Sequence, residues 1–228
     1  MPSAALTRLD ENLWVASRPL KLVVGDIGCR MTVIRLPGGE VFLHSPVPLD
    51  EPTRTELDAI GRVRWIVGPS KVHHFHLPDY ARAYPEAAVL GAPGLAEKKT
   101  DLRFHHVLDD ATALPFDGTI ERHVFQGAPM MNEVVFCHPS SRTLVLTDLA
   151  FNVPQGARNE ARLFHWLVGA VGNFGPHRIV RLGIRDRTAA RRSLETILRW
   201  DFDRVIVSHG EVLESGGKEA VRAGFAYL

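Results

Sequence analysis

The sequence has little cysteine, no long apolar run and no excess of either charge. Among its 228 residues only Cys29 and Cys137 are cysteines, too few for a disulfide framework or a cysteine-rich metal site. We expect both to be core residues in a reducing compartment, although a single disulfide stays open. The formal net charge of +1 gives no electrostatic reason to expect nucleic acid or a membrane as a partner.

Two further absences concern membranes and secretion. The longest apolar stretch, near residues 163 to 171, is interrupted by His165 and Gly169. It is far shorter than the roughly 20 residues that a membrane-spanning helix needs. The first ten residues also lack the charged segment and apolar core of a signal peptide. We therefore expect a cytoplasmic protein.

Length and pattern together predict a single α+β domain over residues 1–228. Strand patterns dominate the first half, including a hairpin in which Pro37, Gly38 and Gly39 form the turn. Helical patterns dominate the last third. The hairpins imply antiparallel pairing, so packed sheets flanked by helices fit the pattern better than a doubly wound parallel sheet.

The predicted elements can be given as residue ranges. We expect strands at residues 13–17, 30–36, 40–45, 64–69, 88–92, 120–125, 133–138, 143–147 and 204–208. We expect helices at residues 52–61, 77–84, 158–171, 186–199 and 217–226, and a helix N-terminus near residues 93–99.

Three apolar strands each end in side chains that can bind a metal ion. Residues 64–69 lead into a cluster that contains His73, His74, His76 and Asp79. Two later strands end at Asp148 and at His209. Strand ends hold side chains rigidly, so we expect these residues to form one site at a sheet edge. His44 also ends a strand and could line the same edge.

Imidazole and carboxylate ligands without thiolates suit zinc first, and also iron or manganese. A carboxylate such as Asp148 can bridge two ions, and paired ions share a hydroxide nucleophile. One ion, two ions or none all stay open at this point.

The order of these motifs resembles the metallo-β-lactamase superfamily. The matching segments are the histidine cluster after a strand, the sequence Leu-Thr-Asp-Leu-Ala-Phe-Asn at residues 146–152 and Val-Ser-His-Gly at residues 207–210. The opening hairpin is similar to a bacterial branch of that superfamily that is known only as a domain of unknown function. The resemblance implies a four-layer αββα sandwich, with His73, His74, His76, Asp148 and His209 as metal ligands.

The sequence departs from the family pattern at two places. His74 and His76 match the His-x-His spacing, but Pro78 and Asp79 follow where the family has Asp and His. A shifted register instead places His73 and His74 on that Asp-His pair, and both registers stay open. The family's middle histidine is also missing from residues 127–132. Glu133 could replace that ligand or could simply begin a strand.

The resemblance implies a hydrolase in which a metal-bound hydroxide attacks an ester, lactone, amide or thioester. Asp148 and Asp79 are the candidate catalytic residues, and Asp79 would hold the water or carry its proton. We expect the loop from Phe151 to Arg158 and the helix around Phe164 and Trp166 to shape the pocket, and we expect a small-molecule substrate.

Other functions stay open. The alternative to a hydrolase is a non-catalytic relative with an incomplete metal site that binds a small molecule or a partner. An iron-based redox enzyme would need an electron-donor module, for which the chain has no room. A homodimer stays open as well.

Overall fold

Two β-sheets pack face to face, and helices cover the outer face of each. The structure is a computed structural model that describes residues 5–156 and 161–228. The larger sheet has seven strands in the order β1-β2-β5-β6-β7-β8-β9, and the smaller has four in the order β10-β11-β12-β15. The pairs β3–β4 and β13–β14 form separate two-stranded ribbons. The strands are β1 (Thr7–Asp10), β2 (Leu13–Arg18), β3 (Lys21–Leu22), β4 (Gly25–Asp26), β5 (Cys29–Arg35), β6 (Glu40–His44), β7 (Arg62–Gly68), β8 (Ala88–Gly91), β9 (His106–Val107), β10 (Glu121–Val124), β11 (Val134–His138), β12 (Thr143–Val145), β13 (Phe151–Asn152), β14 (Phe174–Gly175) and β15 (Arg204–Ile206).

Three apolar clusters show the four layers directly. The cluster between the sheets joins Phe42 and Trp65 of the larger sheet to Phe136 and Ile206 of the smaller one. A second cluster packs helices on the outer face of the larger sheet, and a third does so on the smaller sheet. The arrangement is the predicted αββα sandwich. The helices are α1 (Glu51–Ile60), α2 (Leu77–Ala83), α3 (Leu95–Lys98), α4 (Arg162–Leu167), α5 (Arg178–Gly183), α6 (Arg187–Ile197) and α7 (Gly217–Gly224).

Local sequence signals account for several element boundaries. Helix α1 begins where the Asp50 carboxylate accepts the Thr53 N–H, and it ends at Gly61. Strands β5 and β6 pair antiparallel around the turn at Pro37–Gly39, where Gly38 and Gly39 both have positive φ angles. The predicted hairpin of β11 and β12 is also present.

The same edge of the two sheets receives the ends of four strands. Strands β6, β7 and β8 run parallel, as do β12 and β15. Their carboxyl ends therefore point the same way within each sheet. The chain then passes into the segments that carry Ser45, His73, Asp148 and His209. This topology positions the candidate site.

Three predictions about elements need correction. The helix predicted at residues 158–171 is the shorter α4, which ends at Leu167 because Gly169 with φ of 75° breaks it; residues 158–160 lie outside the described part. Helix α5, the strands β1 and β9, and the β3–β4 and β13–β14 ribbons were not predicted, because each is too short to show a clear period. The larger sheet is partly parallel, whereas the hairpins alone suggested antiparallel pairing.

Within residues 5–156 and 161–228, no helix has the length and apolar character that crossing a membrane requires.

Candidate metal centre

His73, Asp148 and His209 converge at the common edge of the two sheets. The His73 Nε2 lies 3.2 Å from one carboxylate oxygen of Asp148, and the His209 Nε2 lies 3.2 Å from the other. Ligand atoms of the three residues all fall within 4.8 Å of one another. Their side chains are nearly buried, with exposed fractions of 10%, 16% and 4%. Three donors so close together can hold one divalent cation.

The other nitrogen of each imidazole is held by an outer partner. The His209 Nδ1 donates to the backbone carbonyl of Gly28 at 2.8 Å, and the His73 Nδ1 lies 2.7 Å from the Ser45 hydroxyl. A ring that donates from Nδ1 presents the lone pair of Nε2 to the site. Metal-binding histidines in proteins commonly have such outer partners, which fix the ring orientation and the tautomer.

The charges in the site favour an ionised Asp148. Burial alone would raise the pKa of this carboxyl, but the facing imidazoles of His73 and His209 hold it far below its usual range. Burial lowers the pKa of His73, and the Asp148 carboxylate outweighs that effect and raises it. The carboxylate therefore stays charged at neutral pH, which is the form that binds metal ions.

Glu133 supports the loop that carries Asp148. Its carboxylate oxygens accept the backbone N–H groups of Thr147 at 2.6 Å, Asp148 at 2.8 Å and Leu149 at 2.9 Å. The side chain is fully buried just before β11, and burial together with the Asp148 charge raises its pKa to about 7. The sequence left Glu133 open as a replacement ligand or as the start of a strand. The structure shows a different role, in which both carboxylate oxygens hold the backbone of the Asp148 loop.

The His209 segment is fixed from the opposite end of the chain. The Arg30 guanidinium donates to the carbonyls of Val207 at 2.6 Å and Gly210 at 2.7 Å. The Phe151 ring stacks on the His209 imidazole, with ring centres 5.1 Å apart and an interplanar angle of 14°. Residues on both sides of His209 are therefore anchored, so its ring has little freedom to turn away.

The remaining predicted site residues lie apart from this cluster. His74 and His76 line the wall of the adjoining cavity. The His76 Nδ1 is 3.8 Å from the Asp79 carboxylate, which also forms an ion pair with Arg82 on α2. Asp79 does not line the cavity. The structure thus brings together three of the five predicted ligands, and it places Asp79 away from them.

The cavity has a volume of about 260 Å³ and a largely apolar wall. Leu20, Leu22 and Ile27 contribute from the β3–β4 ribbon and its ends, and Val72 and Phe75 contribute from the histidine loop. The three clustered residues His73, Asp148 and His209 also line it. A ligand in this space would therefore reach the candidate metal centre.

The pocket-shaping segments differ from the expectation. Among the described residues, neither 151–156 nor α4 lines the cavity, and Arg158 lies outside the described part of the chain. Trp166 is exposed, and Phe164 packs against the core of the smaller sheet. The cavity wall comes instead from the β3–β4 ribbon, which the sequence analysis did not identify.

Other residues near the site were also missed or left open. His177 is buried and packs on Phe151 with ring centres 4.4 Å apart, and its Nδ1 accepts the Val180 N–H at the start of α5. The Pro-His pair that precedes α5 was the only local signal for it. His44, which the sequence analysis left open as an edge residue, is fully buried beneath the site and does not line the cavity.

Comparisons with known proteins give the same fold. Three solved structures that match this chain are those of the metallo-β-lactamase DIM-1, a metallo-β-lactamase from Erythrobacter litoralis and the mono-zinc form of FIM-1 from Pseudomonas aeruginosa. Their identities to this chain are 14%, 16% and 13%, and their TM-scores are 0.68, 0.67 and 0.61. The matches cover 99%, 98% and 97% of this chain, and 98%, 96% and 94% of those chains. No curated protein matches the sequence.

The family comparison is more specific. Residues 10–164 match the family described as "Domain of unknown function (DUF4336)". This span contains the seven-stranded sheet from β2 onward, the histidine loop and Asp148. The chain belongs to the DUF4336 family, and its fold is that of the metallo-β-lactamases.

Proposed function

We propose that this protein is a metal-dependent hydrolase of small esters, lactones, amides or thioesters. The observation that carries the proposal is the cluster in which two imidazole Nε2 atoms face the two oxygens of one buried carboxylate. His73, Asp148 and His209 would hold the cation. The mono-zinc form of FIM-1, a protein of the same fold, makes zinc the first ion to test, with iron and manganese next.

The donor set fits a divalent cation on chemical grounds. Both outer nitrogens are committed to Ser45 and Gly28, so both inner nitrogens are available as ligands. Asp148 brings the negative charge that a dication needs in a nearly buried site. A cation bound there supplies Lewis-acid activation of water at neutral pH.

The chain's own residues select the substrate. The apolar wall of Leu20, Leu22, Ile27 and Phe75 would receive the apolar part of an acyl group and exclude bulk water. His74, His76 and Lys98 also line this wall, where they can hydrogen-bond the carbonyl or the leaving group. A cavity of about 260 Å³ lies just below the roughly 300–1,000 Å³ of pockets that hold drug-sized ligands, so it favours a short acyl chain.

Metal content measured by elemental mass spectrometry tests the ligand set. Tag-free protein should contain about one zinc ion per chain, and Asp148→Ala and His209→Ala should lose it. His76→Ala is the matched control, because it removes an imidazole that lies outside the cluster. Metal loss in His76→Ala would reject this assignment and favour the other register of the histidine loop, whereas metal that is retained in His209→Ala would reject the site altogether.

Activity is tested next with the metal-loaded protein. Nitrophenyl esters of increasing acyl length, simple lactones and thioesters should reveal hydrolysis that is strongest for short acyl groups and absent in Asp148→Ala. Wild-type protein that stays metal-free after dialysis against zinc, iron and manganese would overturn the hydrolase proposal. It would leave a non-catalytic protein that binds small molecules in the same cavity.

A further inference from the structure

Helices α4 and α5 present apolar side chains to solvent. Leu163, Trp166 and Leu167 occupy one face of α4 and are 68%, 66% and 54% exposed. Ile179 and Leu182 occupy one face of α5 and are 46% and 78% exposed. Side chains three and four positions apart share a helix face, so each helix has an apolar side outside the core as well as one inside it. Such a surface is unusual in a monomer.

These residues belong to one continuous surface. The Arg178 backbone N–H donates to the Val168 carbonyl, and its side chain donates to Leu167, so the end of α4 adjoins the start of α5. Met130 is 63% exposed and lies beside the end of α5, where a Cβ added to Gly183 would be 3.7 Å from its methyl carbon. We call this set the apolar strip; it consists of Met130, Leu163, Trp166, Leu167, Ile179 and Leu182.

The strip leads to the mouth of the cavity. The carbonyl of Met131 accepts the Lys71 N–H, and the Lys71 ammonium donates to the carbonyl of Pro129. Lys71 precedes Val72, which is 37% exposed and lines the cavity. Anything that covers the strip therefore comes close to the cavity opening.

The charge around the apolar strip indicates what kind of partner binds it. Residues 161–185 contain Arg162, Arg178, Arg181 and Arg185 and no acidic residue, giving +4 in a chain whose total is +1. All four are exposed, and none forms an ion pair with another residue that the structure describes. A second copy of the chain would bring the same positive charge against this one, so the charges disfavour self-association. Exposed Trp and Leu bordered by arginine suit the boundary of an anionic lipid bilayer.

We propose that the apolar strip binds peripherally to the surface of a membrane that contains anionic lipids. The apolar side chains would enter the headgroup region, and the four arginines would contact lipid phosphates. The cavity mouth would then lie beside the bilayer surface. This binding requires no metal and no catalysis, so the experiments that test it are independent of those that test the hydrolase proposal.

Vesicle co-sedimentation of the full chain tests the proposal. The wild type should bind vesicles of phosphatidylcholine mixed with phosphatidylglycerol and should bind pure phosphatidylcholine weakly. The double variant Trp166→Ala with Leu182→Ser should bind at least about ten-fold more weakly, because each side chain contributes burial of apolar area. Val107→Ser is the matched control, since Val107 is a 42% exposed apolar residue on β9, outside the strip.

The charge contribution is tested with Arg162→Gln and Arg185→Gln combined. This variant should lose roughly thirty-fold in affinity for the mixed vesicles, and added salt should weaken wild-type binding. These substitutions are on the surface, so circular dichroism should show unchanged folding.

Wild-type protein that does not bind the mixed vesicles would overturn the proposal, as would equal binding by the Trp166→Ala, Leu182→Ser variant. A wild-type dimer in light scattering that this variant converts to a monomer, without vesicle binding, would assign the strip to a second copy instead.

Discussion

Replacing His44 with phenylalanine should make the protein less sensitive to acid. His44 ends β6, is fully buried, and neither ring nitrogen has a hydrogen-bond partner among the described residues. Burial in the first place, and then the nearby His73, lowers the pKa of His44 from 6.5 to about 3. The ring meets Phe136 edge-on at 5.3 Å between centres, so an aromatic ring fits this position.

The size of the effect follows from proton linkage. The unfolded chain binds a proton at this histidine near pH 6.5, whereas the folded chain binds it only near pH 3. The contribution of neutral His44 to the free energy of unfolding is therefore complete above pH 6.5, and it is lost as the pH falls from 6.5 towards 3. At pH 5 the loss attributable to His44 is roughly 2 kcal/mol. Phenylalanine has no proton to bind, so His44→Phe should not show this loss.

The assay is urea titration followed by tryptophan fluorescence in the presence of a chelator, which gives the free energy of unfolding of the metal-free protein. The gain of the variant over the wild type should be about 2 kcal/mol larger at pH 5 than at pH 8. Thr32→Val is the control, because Thr32 pairs with His44 across β5 and β6, is equally buried and unpartnered, and does not titrate. An equal gain at both pH values would refute the reasoning. Loss of bound metal in His44→Phe would show that His44 contributes to the metal site.

Three further substitutions, one of them with a matched control, test how the site is supported. Ser45→Ala removes the outer partner of a proposed ligand histidine and should weaken zinc binding roughly ten- to hundred-fold, measured by competition with a chromophoric chelator. Arg30→Met loses two charge-assisted hydrogen bonds and should lower the free energy of unfolding by about 3 kcal/mol or more; an unchanged urea midpoint would contradict this. Gly210→Ala places a Cβ 2.1 Å from a backbone oxygen at a φ of 95°, so it should yield unstable protein without bound zinc. Gly216→Ala also has a positive φ but meets no atom within 4 Å, so it should cost only about 1 kcal/mol.

Much of the fold could be predicted because its elements have clear local signals. The apolar run from Trp65 to Val67 marked β7, and the hairpins and the later helices α6 and α7 were located to within a few residues. The parallel pairs were not predictable in the same way. The pairing of β12 with β15 joins Val145 to Ile206, and no local pattern specifies a partner so distant in the chain.

The candidate site shows where sequence reasoning stops. The sequence identified His73, Asp148 and His209, but it could not decide which histidines of the loop face the edge. The structure decides this through a turn in which the Ser70 hydroxyl accepts the N–H groups of Val72 and His73. That turn aims His73 at Asp148 and leaves His74 and His76 on the cavity wall.

The contacts that orient the candidate ligand His209 were even harder to predict from the sequence. Gly28 binds His209 from 181 residues away, and Arg30 reaches Gly210 from 180 residues away. Neither contact has a spacing motif, because both depend on how the start of β5 and the residues just before it lie against the segment that follows β15. The sequence can therefore name ligand candidates, but it does not show what orients them.

The charges around Asp148 favour one cation over two. One ionised carboxylate and two imidazoles can partly neutralise one dication. A second ion would add two positive charges to this site, and the buried Glu133 carboxylate, which could offset them, has both oxygens committed to backbone N–H groups. If Glu133 turned to bind metal, it would leave those three buried donors unpaired, and each would cost about 1–3 kcal/mol. The arrangement that stabilises the Asp148 loop thus opposes a second metal ion.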